Sequence, residues 1–335
     1  MSINSMLCVS ASSIFVLASA LPAIAAEPLV IYSALDTVDT ATKAFTAKTG
    51  IEVNLVRLST GELLGKVAAE GNHPNFDVLW VEGSAVMSRL AQQGILKSEK
   101  GLTDRVEYTD LGRKLVPASE AFFPITVSTT AIAVNTKKIG EATPPKSWAD
   151  LENFAGSVAA KDPNLSGPAY QWLAGFLAGT GVDKGKQELQ KILTNKALSG
   201  IPSGGAVNKS LLAGDAAVAI QQDTSIYELM DQKEPITVIY PSEGVVALPS
   251  TAGIASTTKH EDEAKTFIQF LLSKDGEKAM LETEGGDGFF APIVKGIEAK
   301  GNRVDNTASW AMLDDAAAAA HETEWKQWFR DQFVP

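Results

Sequence analysis

Hydroxyl side chains recur in this chain where they could help gather an anion. Ser33 follows the apolar run Leu29-Val30-Ile31-Tyr32, Ser59-Thr60-Gly61-Glu62 has capping-box spacing, and Ser166 with Gly167 precedes Pro168 at a helix start. At a helix start, free backbone N–H donors and the positive end of the dipole favour an anion. Ser59, Thr60 and Ser166 also suit simple helix capping, and one role does not exclude the other. Ser128-Thr129-Thr130 is a further hydroxyl triplet, read as lying near a crossing between two halves of the chain. Asp223 and Glu243 are two carboxylates in the second half of the chain that bear on a ligand. Asp223 would also cap a helix beginning at Thr224, and Glu243 sits in a Pro-Ser-Glu-Gly turn. Glu82 reads as a surface carboxylate, and Tyr32 and Trp80 as core or cleft wall.

The elements that must position these groups alternate between strand and helix. Residues 29–80 read as strand, helix, strand, helix, strand: an apolar run, a helix from Thr37 stopped by Gly50, and the alternating Ile51, Val53 and Leu55. A second helix carries Leu63, Leu64 and Val67, and a third strand ends at Trp80. Further strands are expected at Ala131-Ile132-Ala133-Val134, at residues 216–220 with a loop Gln221-Gln222-Asp223-Thr224 after it, and at residues 236–240. Residues 245–254 read as a connection returning to the first half, ahead of an amphipathic helix through Ala264, Phe267, Ile268 and Leu271. Strand–helix alternation of this kind argues an α/β fold with mainly parallel sheets.

Composition narrows the function. The 335 residues carry a formal charge of −11, and no basic cluster is present to neutralise phosphates, so a nucleic-acid partner is not expected. Residues 1–26 lack charged side chains, hold an apolar core, and end in Ala23-Ile24-Ala25-Ala26, the pattern of a secretory signal cleaved after Ala25 or Ala26. The single cysteine, Cys8, falls inside that segment, so the mature chain would contain no disulfide, thiolate metal site or cysteine nucleophile. His73, His260 and His321 are scattered, without metal-ligand spacing. There is no Gly-x-Ser-x-Gly elbow and no zinc helix, so a periplasmic enzyme is the disfavoured alternative from another functional class.

In order along the chain, Tyr32-Ser33-Ala34, Gly50-Ile51-Glu52-Val53, Gly61-Glu62-Leu63 with Lys66 and Glu70, and Asp77-Val78-Leu79-Trp80 resemble the ferric-iron-type solute-binding proteins of bacterial ABC importers. Ser166-Gly167-Pro168-Ala169-Tyr170, Ala213-Gly214-Asp215-Ala216-Ala217 and Phe267-Ile268-Gln269-Phe270-Leu271-Leu272-Ser273 extend the likeness over nearly all of the mature chain. The resemblance implies a type II periplasmic binding fold, two α/β lobes joined by crossover hinge strands with the ligand in the cleft between them. Lobe 1 is expected from residues 27–120 and 245–290, lobe 2 from residues 121–244 and 291–335. A small anionic or zwitterionic solute, a membrane permease and its cytoplasmic ATPase are the implied partners. No catalysis, cofactor or resident metal is implied, and a periplasmic monomer is expected. The expected ligand-binding residues are Ser33, Ala34, Ser59, Thr60, Gly61, Ser128, Thr129, Ser166, Gly167, Asp223 and Glu243.

The iron-binding branch of this family carries adjacent tyrosines where this chain has Gln221-Gln222-Asp223-Thr224-Ser225, with Tyr227 a helical turn further on. Ferric iron needs several hard anionic oxygens, so the departure argues against it; a carboxylate site of Asp223 and Glu243 is the form it would take here. Other branches resemble binders of phosphonates, including 2-aminoethylphosphonate, and of sugar phosphates. Their needs fit the hydroxyl loops better, with Asp223 and Glu243 as acceptors for an amine or a sugar hydroxyl, and polyamines are a further alternative.

Overall fold

The computed structural model describes residues 27–195, 197–304 and 306–334. The expected signal segment, with Cys8, lies outside the described residues. The strands are β1 (Leu29–Ser33), β2 (Val53–Arg57), β3 (Val78–Glu82), β4 (Phe123–Ser128), β5 (Thr130–Asn135), β6 (Val158–Ala160), β7 (Val218–Gln222), β8 (Ile236–Ile239) and β9 (Leu248–Ile254). The helices of the first half are α1 (Thr37–Thr49), α2 (Thr60–Glu70), α3 (Ser84–Gln92), α4 (Asp110–Leu115), α5 (Trp148–Glu152) and α6 (Gly167–Thr180). Those of the second are α7 (Val182–Ile192), α8 (Gly204–Ala213), α9 (Asp223–Asp231), α10 (Glu261–Leu271), α11 (Lys274–Leu281) and α12 (Asp315–Phe333).

Two sheets result, one in the order β2-β1-β3-β9-β4 and one in the order β6-β7-β5-β8. Both are mixed, not mainly parallel as expected. β2, β1 and β3 pair in parallel, as do β6 and β7, because helices return the chain between them. β9 is antiparallel to β3 and β4, and β5 to β7 and β8. These are the strands by which the chain leaves one lobe and enters the other, and no helical return resets their direction. The first passage occurs at Thr129, between β4 in one sheet and β5 in the other, so the first sheet keeps residues 123–128. The second runs through residues 240–247, from β8 to β9.

Each sheet is covered on both faces, which is why its strands read as unbroken apolar runs. Ile31, Val78 and Trp80 pack with Phe45 of α1 and Phe267 of α10, whose rings meet edge-on at 5.0 Å. Tyr32, Leu79 and Val81 face the opposite way, onto Leu63 of α2 and Met87 of α3. In the second lobe Ile132, Val134 and Val218 pack under α6 and under Trp325 and Phe329 of α12. Gly50 ends α1 in the left-handed conformation at φ 74°, which a side chain would disfavour. The expected loop at residues 221–224 is absent: Gln221 and Gln222 finish β7, and α9 begins at once at Asp223.

Candidate functional site

The carboxyl ends of β1, β3, β6 and β7 open on the space between the lobes. Ser33 finishes β1 fully buried, its Oγ accepting from the N–H of Leu35 at 3.2 Å. Ala34 donates its own N–H to the Trp80 carbonyl at 3.3 Å, tying the loop to β3. Ser59 and Glu62 form the expected capping box: Ser59 Oγ accepts from Glu62 N at 3.3 Å, and Glu62 Oε2 accepts from Ser59 N at 2.9 Å. Across the cleft Ser166 caps α6 by accepting from the N–H of Ala169 at 3.3 Å, with Pro168 in the first turn.

These two helix starts meet. A methyl group added at Gly167 would lie 2.8 Å from the Glu82 carbonyl oxygen and 3.3 Å from Thr60, and one at Gly61 would lie 3.5 Å from the Asn164 carbonyl. The space left between them is about 20 Å³. The lobes are therefore closed on one another here, and at Gly167 only glycine permits so close an approach.

Behind this contact lies a set of buried and half-buried polar groups. Gln222, at the end of β7, donates from Nε2 to Ser128 Oγ at 3.0 Å and to Glu82 Oε1 at 2.5 Å, linking the second lobe to the first. Glu82 is thus no surface carboxylate: burial, followed by the charge of Asp287, pushes it up to about 8, while Lys161 and the Gln222 amide oppose the shift. Asp287, in the short 3₁₀ turn Gly286–Phe289, accepts from the N–H of Asp36 at 2.7 Å; burial and the Asp36 carboxylate push it up to about 6. Lys161 follows β6, is 8% exposed, and is pulled below the usual lysine value by burial, against the opposing pull of Glu82 and Asp287. No motif singles out Lys161 or Asp287. The available signal is a lysine directly after the apolar strand Val158-Ala159-Ala160, where the chain has just entered the cleft.

Asp223 requires a correction. It is fully buried and already occupied: Oδ1 accepts from Thr129 N at 3.1 Å, and Oδ2 accepts from Tyr240 Oη at 3.1 Å and pairs with Arg303 at 2.5 Å. The expected role as acceptor for a ligand amine is taken by Arg303, which also donates to the Phe289 carbonyl at 2.7 Å. Tyr227 and Tyr240 hydroxyls lie 3.3 Å apart beside this pair. Burial, then the Asp223 charge, pushes the Tyr240 phenol well above its ordinary range. Among the described residues, no group of three or more His, Cys, Asp or Glu is arranged to hold a metal.

Glu243 is the second correction. Its carboxylate accepts from the N–H groups of Trp148 and Ala149, both at 3.1 Å, and so caps α5 instead of reaching the cleft floor. It lines a separate cavity of about 550 Å³ on the flank of the crossing segments, walled by Trp148, Trp172 and Phe176. Thr129 also borders that cavity, with its hydroxyl donating to the Val246 carbonyl at 2.7 Å. Ser33, Ala34, Thr60, Gly61, Ser128, Ser166 and Gly167 remain grouped about the interlobe space, with exposed Ser59 at its rim.

Residues 40–321 match the family model described as bacterial extracellular solute-binding protein. A periplasmic protein of Salmonella typhimurium named for 2-aminoethylphosphonate binding is 24% identical over 305 residues, spanning 86% of this chain and 85% of its own length. The periplasmic binding protein AfuA from Actinobacillus pleuropneumoniae, solved with exogenous fructose-6-phosphate bound, matches with a TM-score of 0.80 at 22% identity. That match covers 91% of this chain and 98% of AfuA. Iron-bound HitA from Pseudomonas aeruginosa matches with a TM-score of 0.77 at 25% identity, covering 92% of this chain and 99% of its own. The shared architecture is the two-lobed type II periplasmic binding fold. No described helix is long and apolar enough to cross a membrane.

Proposed function

The chain belongs to the bacterial extracellular solute-binding proteins, the substrate-binding components of ABC importers, and we propose that its solute is a small phosphonate or phosphorylated compound. A 2-aminoethylphosphonate-like zwitterion is the favoured member of that class. The observation that carries this reading is the meeting of two helix N-termini, α2 at Thr60 and Gly61 and α6 at Ser166 and Gly167, on one point of the cleft. In this closed arrangement the two starts touch, with about 20 Å³ between them, so the anion is held beside the contact, where the dipoles of both helices still favour negative charge. The relative named for 2-aminoethylphosphonate binding and the sugar-phosphate-bound neighbour are consistent with it.

The protein captures its solute from the periplasm, having been exported by the segment 1–26, and hands it to a membrane permease served by a cytoplasmic ATPase. The lobes open to admit the solute and close because the closed state binds it more tightly; only that difference in affinity moves the equilibrium. The two lobes divide at Thr129 and in residues 240–247, so closure bends those segments. Ferric iron is the second reading, favoured by the neighbouring Tyr227 and Tyr240 hydroxyls and Asp223. Arg303 opposes it, because its guanidinium already holds the Asp223 carboxylate.

Thermal-shift and calorimetric titration with 2-aminoethylphosphonate, a sugar phosphate, spermidine and ferric citrate decides between them. Stoichiometric binding of a phosphonate or phosphate ester that is recovered unchanged supports the proposal. A coloured ferric complex, with no response to any phosphorylated compound, overturns it.

A further inference from the structure

One lysine without a partner and two carboxyl groups with a single partner each act on one another at the boundary of the lobes. Glu82 ends β3 in the first lobe, Lys161 follows β6 in the second, and Asp287 lies in the 3₁₀ turn Gly286–Phe289. Among the described residues no carboxylate comes within the 4.0 Å of an ion pair with the Lys161 ammonium, and no hydrogen-bond acceptor meets it. Glu82 has one side-chain partner, the Gln222 amide, and Asp287 has one, the Asp36 N–H. The other nearby charges are already satisfied: Asp223 holds Arg303, and Asp36 holds Arg57. Lys161 is buried and Glu82 and Asp287 are half-buried; leaving the lysine unpaired and the carboxyl groups under-paired there is costly, and it makes sense where an outside molecule supplies the counter-charges.

We infer that Lys161, Glu82 and Asp287 fix the orientation of a zwitterionic solute, Lys161 taking its phosphonate or phosphate and the two carboxylates its ammonium. The inference rests on the solute-binding reading of this cleft and adds the direction in which the solute lies. A sugar phosphate would satisfy Lys161 and offer the carboxyl groups hydroxyls, but no positive charge. A polyamine would satisfy the carboxylates and set its own charge against Lys161. Only a molecule carrying both charges on a short linker supplies a counter-charge to all three. The direction of the shifts agrees, since each of the three is pushed towards its uncharged form by burial.

The test is calorimetric titration of the purified protein with 2-aminoethylphosphonate, ethylphosphonate and ethanolamine, so that each analogue lacks one charge. Both analogues are expected to bind about 100-fold more weakly or worse, because each leaves a buried charge unpaired. Glu82→Gln is expected to weaken 2-aminoethylphosphonate and spare ethylphosphonate; Lys161→Met is expected to weaken both phosphonates. Circular dichroism and thermal melting check that each variant folds, and the analogue series on the unaltered protein needs no variant. Ethylphosphonate binding as tightly as 2-aminoethylphosphonate, or Glu82→Gln weakening both alike, overturns the orientation and leaves the anion reading standing. Failure of every phosphonate and phosphate ester overturns that reading, and the orientation with it.

Discussion

Replacing Gly167 by alanine tests whether the contact between the two helix starts belongs to the ligand-capturing state. The added methyl would stand 2.8 Å from the Glu82 carbonyl oxygen and 3.3 Å from both Thr60 Oγ1 and Thr60 Cγ2. These three nearest atoms all belong to the opposite lobe, and the closest is backbone, which cannot swing aside as a flexible side chain could. Overpacking of this kind costs about 1–3 kcal/mol. The open form escapes the cost, so the equilibrium moves against closure, and solute affinity falls by about 5- to 150-fold. Gly65→Ala on α2 is the control, since a methyl there meets nothing within 4 Å and only improves helix propensity. Titration calorimetry gives the affinities, and small-angle scattering without solute gives the radius of gyration, which should rise in Gly167→Ala alone. A Gly167→Ala protein that melts normally, scatters as the parent does and binds solute equally well would refute the reasoning.

Other perturbations have defined outcomes. Glu277 is fully buried, accepts from the N–H groups of Ile293 and Val294 at 2.9 and 3.1 Å, and is pushed up to about 8 by burial. The folded protein thus keeps a proton that the unfolded chain releases near the ordinary glutamate value, so stability falls as pH rises from about 4.5 to about 8. Urea midpoints should show that slope in the parent and a shallower one in Glu277→Gln. Arg303→Met leaves the Asp223 carboxylate buried without its cation and should cost about 3–5 kcal/mol, read by denaturant unfolding. Because Asp287 sits at about 6 and Glu82 at about 8, both acids lose protons as pH rises from 5 to 9, and an ammonium-bearing solute should bind more tightly over that range. Glu82→Gln should flatten the upper part of that dependence in calorimetric titrations.

Local chemistry was legible in the chain itself. A capping box needs only Ser59 and Glu62 three residues apart, a helix stop needs only Gly50, and a strand buried on both faces shows as an apolar run such as Leu29-Val30-Ile31-Tyr32. The helix start at Ser166 and Pro168 and the crossing at the hydroxyl triplet are equally short-range. These signals work because the interactions behind them span three or four residues, or repeat with the period of one element. Strand direction in the crossing segments was not legible, since an apolar run reads alike whichever way its neighbour points.

The pairing of charges was decided elsewhere. Asp223 meets Arg303 across 80 residues of chain, and Glu243 meets the start of α5 across 94 and 95. Neither partner leaves a mark beside the carboxylate in sequence, so both acids read as free. Glu82 looked solvated for the same reason, until Gln222, 140 residues away, closed over it. The sequence alone determined two α/β halves, their capped helices and the hydroxyl loops at the cleft edge. Only the folded, closed arrangement of the lobes decided which charges are spent on holding the protein together and which remain for a solute, because electrostatic partnership depends on distance in space and on the loss of water.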